Sequence, residues 1–252
     1  MNPLQRTLIE KTGNDNGFEH VVASDVSGVT LASARHANRA LVGLESGVYY
    51  VRFQAVSPSL LPELQRSFPA TQVADAFCVA TEADLAALLL RAASLSRALP
   101  SQAAIDYQQA VAAELAQLPA SIAGTEIERM VRQRIGQNKF RDALLDYWGG
   151  ACAVTGVGIQ AVLRASHAKP WAECATDAER LDVFNGFLLN ANLDALFDRF
   201  LISFDEQGAL LIAPALVGID LQPLGISPNM KLRWINTLHE PYLALHRARL
   251  LA

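Results

Sequence analysis

The chain has 252 residues, of which 51% are hydrophobic and 18% charged, a balance that excludes an intrinsically disordered polymer and supports a buried core. A formal net charge of -4 argues against a uniformly cationic nucleic-acid coat, so any affinity for phosphate has to come from local clusters of Lys and Arg. No run reaches the length of a membrane span, and the opening M-N-P-L-Q-R-T has no basic start followed by an apolar block, so a cytoplasmic protein is expected.

In chain order, Pro3 to Lys11 predicts a short helix, stopped by the turn formers Gly13-Asn14-Asp15-Asn16-Gly17. Short β-rich runs follow at Glu19–Ala23, Val29–Ala32, Ala40–Leu44 and Val48–Phe53, each bounded by Gly, Ser or Asn, as in a small antiparallel sheet. Pro58 to Arg66 predicts a helix with Ser57 as N-cap, and Val73–Val79 one more strand. Glu82 to Leu99 has leucines at helical spacing behind a Thr81 cap. Pro100-Ser101 ends that helix, Ala104 to Leu118 begins another, and the Pro-, Ala- and Gly-rich stretch between Leu118 and Thr125 marks the expected domain boundary. Glu126 to Trp148 predicts one or two helices, carrying Arg129, Arg132, Arg134, Lys139 and Arg141 within 13 residues. Glu126, Glu128, Asp142 and Asp146 are interleaved, so this is either a solvated helix face or a phosphate-binding patch.

Alternation in Val162–His167 predicts a strand ending at the histidine, and Gly186–Leu189 its antiparallel partner. Leu193, Leu196 and Phe197 fall on one face of a short helix, which sets Asp194 and Asp198 one turn apart. Ile202–Phe204 and Leu210–Ile212, around Asp205-Glu206-Gln207-Gly208, predict a hairpin. Three cysteines, Cys78, Cys152 and Cys174, form no C-x-x-C unit, so no structural zinc is expected.

His167, Asn185 and Asp194 are separated by 18 and nine residues. A neutral imidazole takes a proton from water, an amide fixes its neighbours without charge, and a carboxylate holds a hard cation. The motifs G-G-A-C-A-V-T-G (Gly149–Gly156), L-R-A-S-H-A-K-P-W (Leu163–Trp171), N-G-F-L-L (Asn185–Leu189) and L-D-A-L-F-D (Leu193–Asp198) occur in an order that resembles the HNH endonuclease family, in its branch without zinc knuckles. The resemblance covers roughly Arg134 to Pro214, with a weaker echo in Pro241–Arg247.

The resemblance implies an α+β protein: an N-terminal small mixed sheet-plus-helices domain (1–118, a specificity or sensing part), a linker or helix (119–133), and a C-terminal ββα-metal nuclease domain with a helical tail (134–252). It also implies a hairpin at Gly149–Gly156. His167 is then the general base, Asn185 holds the loop and the imidazole ring, and Asp194 stands where many relatives carry a final His. Asn192 competes with Asp194 for that place. Ser166 occupies the position of a second ligand and offers only a hydroxyl or its carbonyl, while Asp198 is expected at the helix end or acting through water. Arg164, Lys169, Arg134 and Arg141 are the expected phosphate contacts, and Trp171 is either a stacking platform or core.

The cofactor implied is a divalent metal, Mg²⁺ first and Mn²⁺ or Ni²⁺ as alternatives. The partner implied is double-stranded DNA, with no membrane and a homodimer if both strands are cut. A restriction-like or defence role follows from the two-part organisation. Two rival readings stay open: an HNH fold that binds DNA without cutting it, and one that serves protein interaction. In the N-terminal part Arg35, His36, Arg39, Tyr49, Tyr50 and Phe53 are candidates for a base pocket or for core.

Overall fold

The computed structural model describes residues 1–100, 102–119 and 124–250. It contains two compact units, Met1–Gln102 and Ala103–Ala252. The division therefore falls ahead of the Leu118–Thr125 stretch, part of which lies outside the described residues.

The first unit opens with α1 (Pro3–Asp15), longer than the sequence suggests. Asn2 caps it, accepting from the Gln5 amide while the Gln5 side chain accepts from the Asn2 N–H. The strands β1 (His20–Ser24), β2 (Val29–Ala32), β3 (Arg39–Glu45) and β4 (Val48–Gln54) follow, then α2 (Leu60–Ser67). The expected single strand at 73–79 is a tight pair, β5 (Gln72–Val73) and β6 (Ala76–Val79), because Ala74 takes a left-handed φ of 54° and reverses the chain. All pairings in the six-stranded sheet, order β1-β2-β3-β4-β6-β5, are antiparallel. Helix α3 (Glu82–Ala98) is capped by Thr81, whose hydroxyl accepts from the Asp84 amide, and buries Leu85, Leu88, Leu89, Ala92 and Leu95. Ser59, not Ser57, stands at the start of α2. His36 and Phe53 lie in the packing of this unit: His36 meets Phe18 edge-on at 5.0 Å, and Phe53 meets Phe77 at 5.9 Å.

The second unit begins with α4 (Gln102–Leu115) and the single helix α5 (Glu126–Trp148). Thr125 caps α5, and Glu126 and Glu128 in its first turn complement the positive end of the helix dipole. At the other end Gly149 adopts φ 65°, and the Gly149 and Gly150 amides donate back to Asp146 and Leu145. This Schellman closure needs a residue without Cβ at the left-handed position. The expected hairpin at Gly149–Gly156 is instead a set of turns, since Cys152 N–H donates to Val157 O while Gly156 N–H donates to Cys152 O. Ala153 N–H reaches Leu188 O at 2.6 Å and ties this turn to the strand behind it.

Strands β7 (Leu163–His167) and β8 (Gly186–Asn190) pair antiparallel, with α6 (Asp177–Leu181) in the loop between them and α7 (Ala191–Phe197) after them. A second hairpin, β9 (Ile202–Phe204) and β10 (Leu210–Ile212), and α8 (Glu240–Arg247) complete the unit. The core is aromatic. Trp148 stacks on Trp234 at 4.3 Å between centroids, Phe187 stacks on His239 at 5.2 Å, and Tyr147 and Phe184 meet edge-on at 5.6 Å. Each such ring removes some 150–250 Å² from water, roughly 4–6 kcal/mol of gross apolar burial, which holds α5 against β8. No helix among the described residues is long and apolar enough to cross a membrane.

Candidate active site

The β7–β8–α7 unit brings the reactive residues together. His167 ends β7 opposite Gly186 at the start of β8. A Cβ built on Gly186 would lie 2.3 Å from Ser166 O and 2.7 Å from Phe140 Cζ, so only glycine permits this approach. Asn190 caps α7 by accepting from the Leu193 amide at 3.0 Å, which fixes where Asp194 leaves the first turn.

The His167 ring lies flat on Phe140, 3.7 Å between centroids and 17° between planes, with Trp171 edge-on at 5.7 Å. Its Nε2 is 2.9 Å from the Arg180 carbonyl. A carbonyl only accepts, so Nε2 carries the proton and Nδ1 holds the lone pair. Burial holds the His167 pKa down to about 4, against the smaller raising effect of the Arg180 carbonyl. The imidazole is therefore neutral at pH 7 and able to accept a proton.

Asn185 is fully buried and acts on the loop, not on the ring. Its Oδ1 accepts from Lys169 N–H at 2.7 Å, and its Nδ2 donates to Glu179 O at 3.0 Å and Lys169 O at 3.3 Å. Fixing Glu179 places the next carbonyl, that of Arg180, against His167. The expected contact between Asn185 and the imidazole is thus replaced by an indirect chain through α6.

Ser166 is 1% exposed, and its hydroxyl donates to Asp194 Oδ1 at 2.6 Å. Asp198, one turn further along, lines the same cleft as His167. Partial burial first, and then the neighbouring Asp194 charge, push the Asp198 pKa up to about 6. Asn192 stands apart from this group, because its Nδ2 donates to Leu224 O at 3.0 Å. Asp198, expected at the helix end, lies i, i+4 from Asp194, a spacing visible in the sequence.

Arg141 and Arg164 line the cleft, which has a volume of about 500 Å³. Arg141 is braced by the carbonyls of Leu163 at 2.7 Å and Gln160 at 3.0 Å, and Arg164 by Ala161 O at 3.0 Å. The other two expected phosphate contacts are engaged elsewhere: Lys169 Nζ pairs with Glu179 at 2.9 Å, and Arg134 pairs with Glu114 at 2.6 Å. His246, from the Pro241–Arg247 echo, closes one side of the cleft. It is 1% exposed, stacks on Phe197 at 3.8 Å, and its two nitrogens lie 3.0 Å from Ser203 Oγ and 3.0 Å from Phe197 O.

Among the described residues no three of His, Cys, Asp and Glu converge as a closed metal cage. Asp194 and Asp198 are four residues apart at the α7 end, near enough for the Asp194 charge to act on Asp198, and carboxylates of this kind would suit a hard cation. Their mutual repulsion is what a bound dication relieves. Residues 152–205 match the family model described as HNH endonuclease. No curated protein matches the chain.

Proposed function

We propose, from the match of residues 152–205 to the HNH endonuclease family model, that the chain hydrolyses DNA phosphodiester bonds with a divalent cation, Mg²⁺ before Mn²⁺ or Ni²⁺. The observation that carries this reading is the neutral His167, held by the Arg180 carbonyl so that Nδ1 is the basic nitrogen, in a cleft shared with Arg141, Arg164 and Asp198. Water attacks phosphorus as His167 Nδ1 takes its proton, and the bond to the leaving oxygen breaks. Arg141 and Arg164 hold the phosphoryl oxygens by charge-assisted hydrogen bonds. Asp194, oriented by Ser166, and Asp198 would hold the cation, which when bound neutralises charge at the phosphoryl and leaving oxygens.

The N-terminal part, expected over residues 1–118 and compact over Met1–Gln102, is the natural place for target choice in a restriction-like enzyme, with residues 119–133 as the connection to a nuclease part at 134–252. Cutting both strands with one site per chain favours a homodimer. Plasmid nicking by the full chain with Mg²⁺, Mn²⁺ and Ni²⁺, on modified and unmodified DNA, tests the reading. Nicking with any of these cations supports the nuclease. Retardation of DNA on a gel without any nicking supports the rival, a binding module, which draws on Ser166 standing where a stronger ligand is expected.

A further inference from the structure

A second groove, of about 520 Å³, lies on the C-terminal unit beside the catalytic cleft and shares one wall with it, the indole of Trp171. Arg129, Arg132 and Gln133 of α5 line it together with Arg180. Asp177 is the one carboxylate in its lining, while Glu126 and Glu128, the partners of Arg129 and Arg132, flank the groove. We propose that this groove is a second DNA-binding subsite, taking the backbone of the strand that flanks the scissile phosphate; the inference rests on the nuclease reading above.

The helix geometry makes the two sites continuous. Arg129, Gln133, Gln137 and Arg141 are spaced four apart and form one ridge along α5. The first two line the outer groove and the last two the catalytic cleft. From Arg129 to Arg141 the ridge is about 18 Å long at ~1.5 Å per residue, which matches about five base pairs at ~3.4 Å along one strand. Gly136 lies between these residues, and a Cβ there would meet Trp171 Cη2 at 2.2 Å, so glycine is what lets the indole sit against α5 as the shared wall.

The cations have different duties. Arg180 is held by Asp177 at 2.9 Å and the Trp171 carbonyl at 3.3 Å, and its guanidinium lies 5.7 Å from the indole centroid, so it fixes the wall. Arg129 is the more adaptable of the other two. Arg129 meets Glu126 at 3.2 Å with both side chains more than 70% exposed, a pairing weak enough for a phosphate to replace. Arg132 is 45% exposed but held more firmly, by Glu128 at 2.7 Å and by the Tyr107 side chain. Trp171 adds an aromatic face for a sugar or base.

The test is duplex binding by the full chain without divalent cation, at several salt concentrations, for wild type, Arg129→Gln, the double variant Arg129→Gln/Arg132→Gln, and His167→Ala. Each lost phosphate contact makes the slope of log affinity against log salt shallower by about 0.9. We expect a change of about 1 for the single variant and about 2 for the double, with about 10-fold weaker binding at low salt for the double variant. A merely structural role would lower the melting temperature and leave the slope unchanged, which overturns the proposal. The single variant keeps the test independent of the Arg132 contacts inside the unit. If wild type binds and nicks while both arginine variants match it, the subsite falls and the nuclease stands. If wild type neither binds duplex nor nicks, both fall. Displacement of duplex by poly-glutamate as readily as by unlabelled DNA overturns the subsite in favour of an acidic protein partner.

Discussion

Ser166 Oγ donates a 2.6 Å hydrogen bond to Asp194 Oδ1, so the strand residue that precedes the imidazole is tied to the first turn of the following helix. The serine that stands in a ligand's place thereby acts on the carboxylate beside it. With Ser166 buried, the bond is shielded from water and fixes one oxygen of Asp194. On the nuclease reading, Ser166→Ala lowers stability by about 1 kcal/mol and raises the cation concentration for half-maximal nicking by about 10-fold or more. Titrating Mg²⁺ against nicking rate checks this; an unchanged titration means the bond plays no part in cation binding.

Asp198 has a pKa raised to about 6, mainly by partial burial and then by Asp194. A carboxyl whose folded pKa lies above its unfolded value of about 3.9 binds its proton more tightly when folded. Its contribution to stability is therefore favourable at low pH and is lost as pH rises from about 4 to about 6. Asp198→Asn removes that penalty, so the metal-free variant melts higher than wild type at pH 7, by about 1 kcal/mol once solvent screening of an exposed group is allowed for, and equally at pH 4. Adding Mg²⁺ at pH 7 raises the melting temperature of wild type more than that of the variant. Equal cation shifts in the two proteins would remove Asp198 from the proposed donor pair.

Much of this site was legible in sequence because local rules wrote it. Alternation gave β7, the spacing of Leu193, Leu196 and Phe197 gave α7, and Thr81 supplies the α3 cap that the structure uses. What stayed hidden depended on contacts between distant residues. Lys169 looks like a phosphate clamp until α6 brings Glu179 beneath it, and Asn192 looks like a ligand until the Leu224 carbonyl meets its amide. The helical spacing of Phe140, Leu144 and Leu145 points Phe140 at the β7–β8 pair, but its stacking on His167, 27 positions away, is a contact that no local pattern specifies. The expected single strand at 73–79 divides for a backbone reason, the left-handed Ala74.

Asn185 satisfies a buried amide and two carbonyls at once. Asn185→Ala leaves Lys169 N–H without its 2.7 Å acceptor inside the protein, and the loss is about 2–4 kcal/mol for a fully buried group with several bonds. The denaturation midpoint should fall accordingly. At temperatures where the variant is folded, nicking should still be slower, because the Arg180 carbonyl that holds His167 is no longer anchored through Glu179. A variant with wild-type stability would show that this network is replaceable by water.

The central claim is that His167 takes the proton from the attacking water. Nicking of supercoiled plasmid by wild type and His167→Ala, at matched DNA occupancy and saturating cation, measures it directly. A general base contributes about 10²- to 10⁴-fold to a rate. A loss in that range is expected with duplex binding and folding retained; cutting by His167→Ala at the wild-type rate would show that His167 is not the base.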